Sequence, residues 1–95
     1  MSINGEPVVR DNRAKDRFEI EIDGHTAIAQ YVLAPDHIIF THTEVPPPLE
    51  GHGIAGALIK AVLDHAQAHG LKVRPLCSYA RAYMQRHPET AALLA

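Results

Sequence analysis

The chain has 95 residues, of which 46% are hydrophobic and 21% charged, a globular balance whose length predicts one domain over residues 1–95. A net charge of −2 with scattered signs gives no basic field for nucleic acid and no polybasic stretch for a membrane surface, and no apolar run approaches the ~20 residues of a membrane helix. The one cysteine, Cys77, excludes an internal disulfide, and Met1 to Glu6 lack the charged and apolar regions of a signal peptide, which points to a reducing cytoplasm.

In chain order, Pro7 to Arg10 reads as a short edge strand ending in the turn-rich stretch Asp11 to Asp16. Arg17 to Ile22 alternates strictly, with Phe18, Ile20 and Ile22 on one face, and Asp23-Gly24 then predicts a hairpin into a return strand over His25 to Leu33. Ala34-Pro35-Asp36 turns the chain into His37 to Val45, completing an antiparallel meander. In that strand the period of two places Ile38, Phe40, His42 and Glu44 on one face and Ile39, Thr41, Thr43 and Val45 on the other. From Gly53 to His69 the spacing becomes helical. Gly56, Lys60, Asp64 and Gln67 form a narrow polar stripe, and the wide apolar remainder predicts packing against the sheet. Gly70 is placed to end the helix, and Leu71 to Leu76 reads as a strand parallel to its predecessor, because a strand, helix, strand unit is a crossover. Ser78 to Arg86, with Ser78 as its cap, and Pro88 to Leu94 read as short terminal helices. The fold class is therefore α/β in the broad α+β sense.

The organising stretch runs from Glu44 to Leu58, where an extended strand passes through Pro46-Pro47-Pro48 and a glycine turn into the helix. The first N–H groups of a helix lack intrahelical acceptors and carry partial positive charge, so a glycine turn that admits an anion makes a phosphate site. Consecutive prolines donate nothing, which concentrates the donors in Leu49 to Gly56. Gly51-His52-Gly53-Ile54-Ala55-Gly56 matches the dinucleotide fingerprint in form. The context opposes it: the strands before it are hairpins, and Lys72-Val73-Arg74 stands where the acidic ribose ligand belongs. No Gly-Lys-Ser/Thr closes the loop, which excludes a P-loop.

Val45-Pro46-Pro47-Pro48-Leu49-Glu50-Gly51-His52-Gly53-Ile54-Ala55 resembles the acyl-CoA pyrophosphate loop of the GNAT superfamily of acetyltransferases, Val-x-Pro-x-aromatic-Arg/Gln-Gly-x-Gly-Ile-Gly/Ala. With His42-Thr43-Glu44, Pro75-x-Cys77-x-Tyr79 and His87-Pro88-Glu89, the chain is similar to the minimal, roughly hundred-residue GNAT-like proteins, from the Phe18 strand to the tail. The resemblance implies a truncated GNAT-like fold and transfer of an acetyl group from acetyl-CoA directly to a primary amine, with no metal. Val45, Leu49, Glu50, Gly51, His52, Gly53, Ile54, Ala55, Gly56 and Tyr79 would bind the cofactor, with the Glu44 or Val45 N–H serving the pantetheine arm. Two positions depart from the superfamily. Glu50 stands where Arg or Gln is usual, leaving backbone amides to hold the pyrophosphate, and Met84 stands where a tyrosine often protonates the leaving thiolate.

His42 or Glu44 would accept the proton from the attacking amine, and histidine has the better ordinary pKa for it. Cys77 would line the cofactor, donate a proton to the thiolate, or carry the acyl group. Each has a plainer role as well: Cys77 as a small buried apolar group, His42 as a hydrogen-bonded strand residue, Glu44 as a solvated strand end. His65 and His69 stand at metal-ligand spacing but have no evident third ligand. Ser2 to Asp16 leaves no room for the helices that usually enclose a GNAT acceptor, so that side should be open, which suits a bulky acceptor such as a protein lysine. The competing expectation is an acyl-CoA-binding or regulatory module with little or no turnover.

Overall fold

The computed structural model describes residues 8–95. Its five-stranded sheet has the order β1-β2-β3-β4-β5. These are Arg10–Asn12 (β1), Arg17–Ile22 (β2), His25–Leu33 (β3), His37–Glu44 (β4) and Lys72–Pro75 (β5). The first four form the expected antiparallel meander, and β5 pairs with β4 in parallel. Between β4 and β5 lies the helix Ile54–Ala68 (α1), and Ser78–Arg86 (α2) follows β5. The expected first strand begins at Pro7, outside the described residues, and the observed one is displaced toward Asn12.

Local chemistry sets most of these boundaries. Asp23 and Gly24 both have positive φ, 52° and 80°, the type I′ geometry that matches the twist of a tight hairpin. At the far end of α1, Gly70 takes φ 67°. The Leu71 N–H then donates to the Ala66 carbonyl (2.8 Å) and the Gly70 N–H to that of Gln67 (3.3 Å), a Schellman closure. Ser78 is the first helical residue of α2, not its cap; Cys77 holds the N-cap position and makes no side-chain capping bond.

Ile54, Leu58, Ile59, Val62, Leu63 and Ala66 are buried on α1 against Phe18, Ile20, Ile22, Ala27, Ala29, Tyr31, Ile38 and Phe40 of the sheet. Each large aliphatic group among them contributes about 1.5–3 kcal/mol by burial. The exposed Lys60–Asp64 pair (2.8 Å) on the polar stripe is worth only about 0.3–0.5 kcal/mol, so the apolar face decides where the helix lies. Beyond α2, the 3-10 turns Pro88–Leu93 carry the chain back to β5. There Leu94 forms a parallel bridge with Val73, and the Ala95 N–H donates to the Val73 carbonyl (3.0 Å).

The face assigned to His42 and Glu44 is corrected by a bulge. Gln30 pairs with His42 but Tyr31 pairs with Phe40, so Thr41 is an extra residue in β4. Ile38 and Phe40 point into the core, the phase shifts at Thr41, and Thr43 is the next buried side chain. His42 and Glu44 share a face as expected, but it is the outer face of the sheet, away from α1.

Candidate functional site

The strand β4 outlasts its parallel partner. Pairing ends at Phe40 and Pro75, and the Phe40 carbonyl then accepts from both Leu76 N–H (2.9 Å) and Cys77 N–H (3.2 Å). Past that point β5 turns into α2, while β4 continues through Thr41 to Glu44 without a strand on that side. A side-chain hydrogen bond crosses the opening: the buried Cys77 thiol donates to Thr43 Oγ1 (3.4 Å). That contact depends on the bulge, since without the phase shift Thr43 would face outward.

On the outer face His42 Nε2 lies 3.5 Å from Glu44 Oε2, with the two side chains 55% and 68% exposed. The structure thus brings His42 to Glu44 and Cys77 to Thr43, and it separates the two pairs across the strand. Among the described residues no hydrogen bond or ion pair joins Cys77 to His42 or Glu44. Met84 is buried in the core and Tyr83 stacks on His87 with ring centroids 4.1 Å apart. His65 and His69 also stack, at 4.1 Å, with the His65 ring edge-on to Phe18. Burial first, then the neighbouring His69, lowers the His65 pKa from its ordinary value.

Beyond Glu44 the loop folds as 3-10 turns over Pro47–Leu49. The Leu49 N–H donates to the Pro46 carbonyl (2.9 Å) and the Glu50 N–H to that of Pro47 (3.2 Å). These two amides are therefore already satisfied, which corrects the expectation that donors run from Leu49 onward: the open set begins at Gly51. Gly51 and Gly53 take φ 81° and 73°, and a Cβ on either would meet nothing within 4 Å. Backbone conformation, not crowding, requires glycine here. Gly53 is the N-cap of α1 and offers no side-chain acceptor, and the first turn carries no acid. Helical bonding starts with Ala57 N–H to the Gly53 carbonyl (3.0 Å), so the N–H groups of Ile54, Ala55 and Gly56 are orphan donors.

A cavity of about 270 Å³ sits over this turn, lined by Val45, Leu49, Glu50, Gly51, Gly53, Ile54, Ala55, Gly56 and Tyr79. His52 is exposed and is the one member of the expected loop set outside that lining. Ala55, Gly56 and Tyr79 are shared with a second cavity of about 360 Å³ that runs between α1 and α2 to Arg86. Sequence reasoning missed this continuation. Its signal was the spacing of Ser78, Tyr79, Ala82, Tyr83 and Arg86, which lie on one face of a helix. The donor set suits a diphosphate: several convergent N–H groups at an uncapped helix start, beside an apolar rim.

Comparison with known proteins agrees with this architecture. The family model described as GCN5-related N-acetyl-transferase matches residues 17–93, from β2 to the terminal 3-10 turns. The NMR solution structure of a GCN5-like protein from Staphylococcus aureus superposes with a TM-score of 0.72 at 24% identity, covering 97% of this chain and 91% of that one. At that identity the superposition establishes the shared mixed α/β fold, and the family match carries the rest. The chain belongs to the GCN5-related N-acetyltransferase family.

Proposed function

We propose that the protein transfers an acetyl group from acetyl-CoA directly to a primary amine, and that an amine on a protein, a lysine side chain, is the acceptor. The observation that carries the reading is the conjunction of an uncapped helix start, two glycines at positive φ and a strand edge left open beside it. The amides of Gly51 to Gly56 would hold the diphosphate, and the open edge of β4 near Glu44 and Val45 would receive the pantetheine arm. Acetyl-CoA supplies an activated acyl group as its thioester.

The remaining demands fall on this chain's side chains. The amine must lose a proton as it attacks, and the departing sulfur must gain one. On the exposed outer face, His42 is positioned to accept the first, with Glu44 3.5 Å away to orient the imidazole and balance its charge. Cys77 lies at the mouth of the splay, where its thiol would line the acyl group, protonate the sulfur or become acylated itself. In the structure its one proton is donated to Thr43, so that bond must open before the thiol can give the proton to the departing sulfur. The lysine reading is supported by the outer sheet face, which no described helix covers.

A second reading has its own observation. Met84 is buried where the wider superfamily often carries a tyrosine, and Glu50 puts an acid on the loop cavity. Both fit an acyl-CoA-binding module with little or no turnover. Thermal melting with acetyl-CoA at ~100 times Kd should stabilise the protein by about 2.7 kcal/mol, a shift of several degrees. Release of coenzyme A only when an amine or lysine peptide is added identifies the transferase. Binding without release identifies the module, and no shift with acetyl-CoA removes both.

A further inference from the structure

The loop cavity contains an acid and no cation. Among the residues lining it and the adjoining α1–α2 groove, Glu50 is the one carboxylate and Arg86 the one guanidinium. Coenzyme A carries two phosphate centres, the diphosphate in mid-molecule and a monoester on the 3′-oxygen of its ribose. The monoester is dianionic near neutral pH and so is the denser charge. The backbone donors of Gly51 to Gly56 account for the first centre and leave the second without a partner.

We propose that Arg86, at the end of the groove away from Ser78, forms a second anion subsite that takes the ribose 3′-phosphate and makes the protein select coenzyme A over its dephospho form. The proposal rests on the coenzyme A reading above. Three features support it. The groove is continuous with the loop cavity through Ala55, Gly56 and Tyr79. Arg74, Arg81 and Arg86 are exposed and make no side-chain hydrogen bond or ion pair with a described residue, whereas Arg10, Arg13 and Arg17 are each held by a carboxylate; of the three unpaired guanidinium groups Arg86 is the one that lines the groove. Ser78 and Arg86 stand eight residues apart on α2, about 12 Å of helix, so a cofactor lying along the groove passes from one to the other. A guanidinium is suited to a phosphate monoester because its fork meets two oxygens at once.

Arg86 is also the last residue of α2, where a cation favours the helix dipole without any ligand. The test separates the two roles. Calorimetric titrations with coenzyme A and with dephospho-coenzyme A are made on the wild type, Arg86→Gln and Arg86→Lys, and each protein is melted without ligand. The wild type should prefer coenzyme A. Arg86→Gln should lose about tenfold for coenzyme A, leave dephospho-coenzyme A within twofold, and melt only a few degrees lower, as loss of the dipole contact alone predicts, while Arg86→Lys keeps part of the preference and the melting temperature. Equal binding of both ligands by the wild type, or equal losses for both in Arg86→Gln, overturns the subsite but leaves the loop assignment standing. If the wild type binds neither ligand, the coenzyme A reading and the subsite fall together.

Discussion

Gly53 meets two demands at one position. It must adopt φ 73° to turn the chain into α1, and it must cap the helix without supplying an acceptor that would compete for the first N–H groups. Gly53→Ala has open space around its new Cβ, so its cost is conformational, about 1–2 kcal/mol. A urea titration should show the midpoint falling by that cost divided by an unchanged m-value. Glu50 acts in the other direction. Its exposed carboxylate lies on the loop cavity, and Glu50→Gln should strengthen binding of coenzyme A by about 0.5–1 kcal/mol, two- to fivefold by titration. A weaker or unchanged affinity would mean that the diphosphate does not approach this side chain. Cys77→Ala removes the thiol and its bond to Thr43 together, and unchanged amine-dependent turnover would exclude Cys77 from the chemistry.

At the scale of elements, β1 is a three-residue strand paired with β2, and the carboxylate of Glu19 adds side-chain bonds across that ladder. That side chain is 4% exposed and accepts from Arg10 (2.8 Å), Arg17 (2.6 Å) and Asn12 (3.1 Å). The hydrogen bond from Arg10, then that from Arg17, holds its pKa down to about 2 against an ordinary 4.5. The folded pKa is the lower one, so the unfolded chain takes up the proton first. The stabilisation is complete above about pH 4.5 and is lost as the pH falls toward 2. Acid denaturation should therefore be shallower in that window for Glu19→Gln than for the wild type. The elements themselves were legible where one periodicity dominated. Phe18, Ile20 and Ile22 marked β2, the Asp23-Gly24 pair marked its hairpin, and the 15-residue α1 was bounded by glycines. The bulge was not legible, because Thr41-His42-Thr43-Glu44 alternates plausibly in either phase and only pairing with Gln30 and Tyr31 fixes which side is buried. The loop residues could be read from the glycine pattern. The Cys77–Thr43 contact and the groove leading to Arg86 could not, since both depend on how β4 and α2 dock over long sequence separations.

For the molecule as a whole, one apolar cluster joins the sheet, α1 and α2, so a core defect has few reserves to draw on. Leu58 is fully buried in it, and Leu58→Ala should cost about 3 kcal/mol, lowering the melting temperature by roughly 12–24 °C. Saturating acetyl-CoA should recover much of that loss by mass action, which calorimetry on the variant would read directly. The docking of Leu94 and Ala95 along Val73 has a consequence of another kind. A sheet border with unmet peptide groups is a template for the next molecule, and this tail covers part of the border at β5. Removing those two residues should leave the fold in place but let copies join edge to edge, so that light scattering rises with protein concentration while the circular dichroism of dilute samples is unchanged. The tail then acts as a selvedge, keeping a short sheet from being extended by its neighbours.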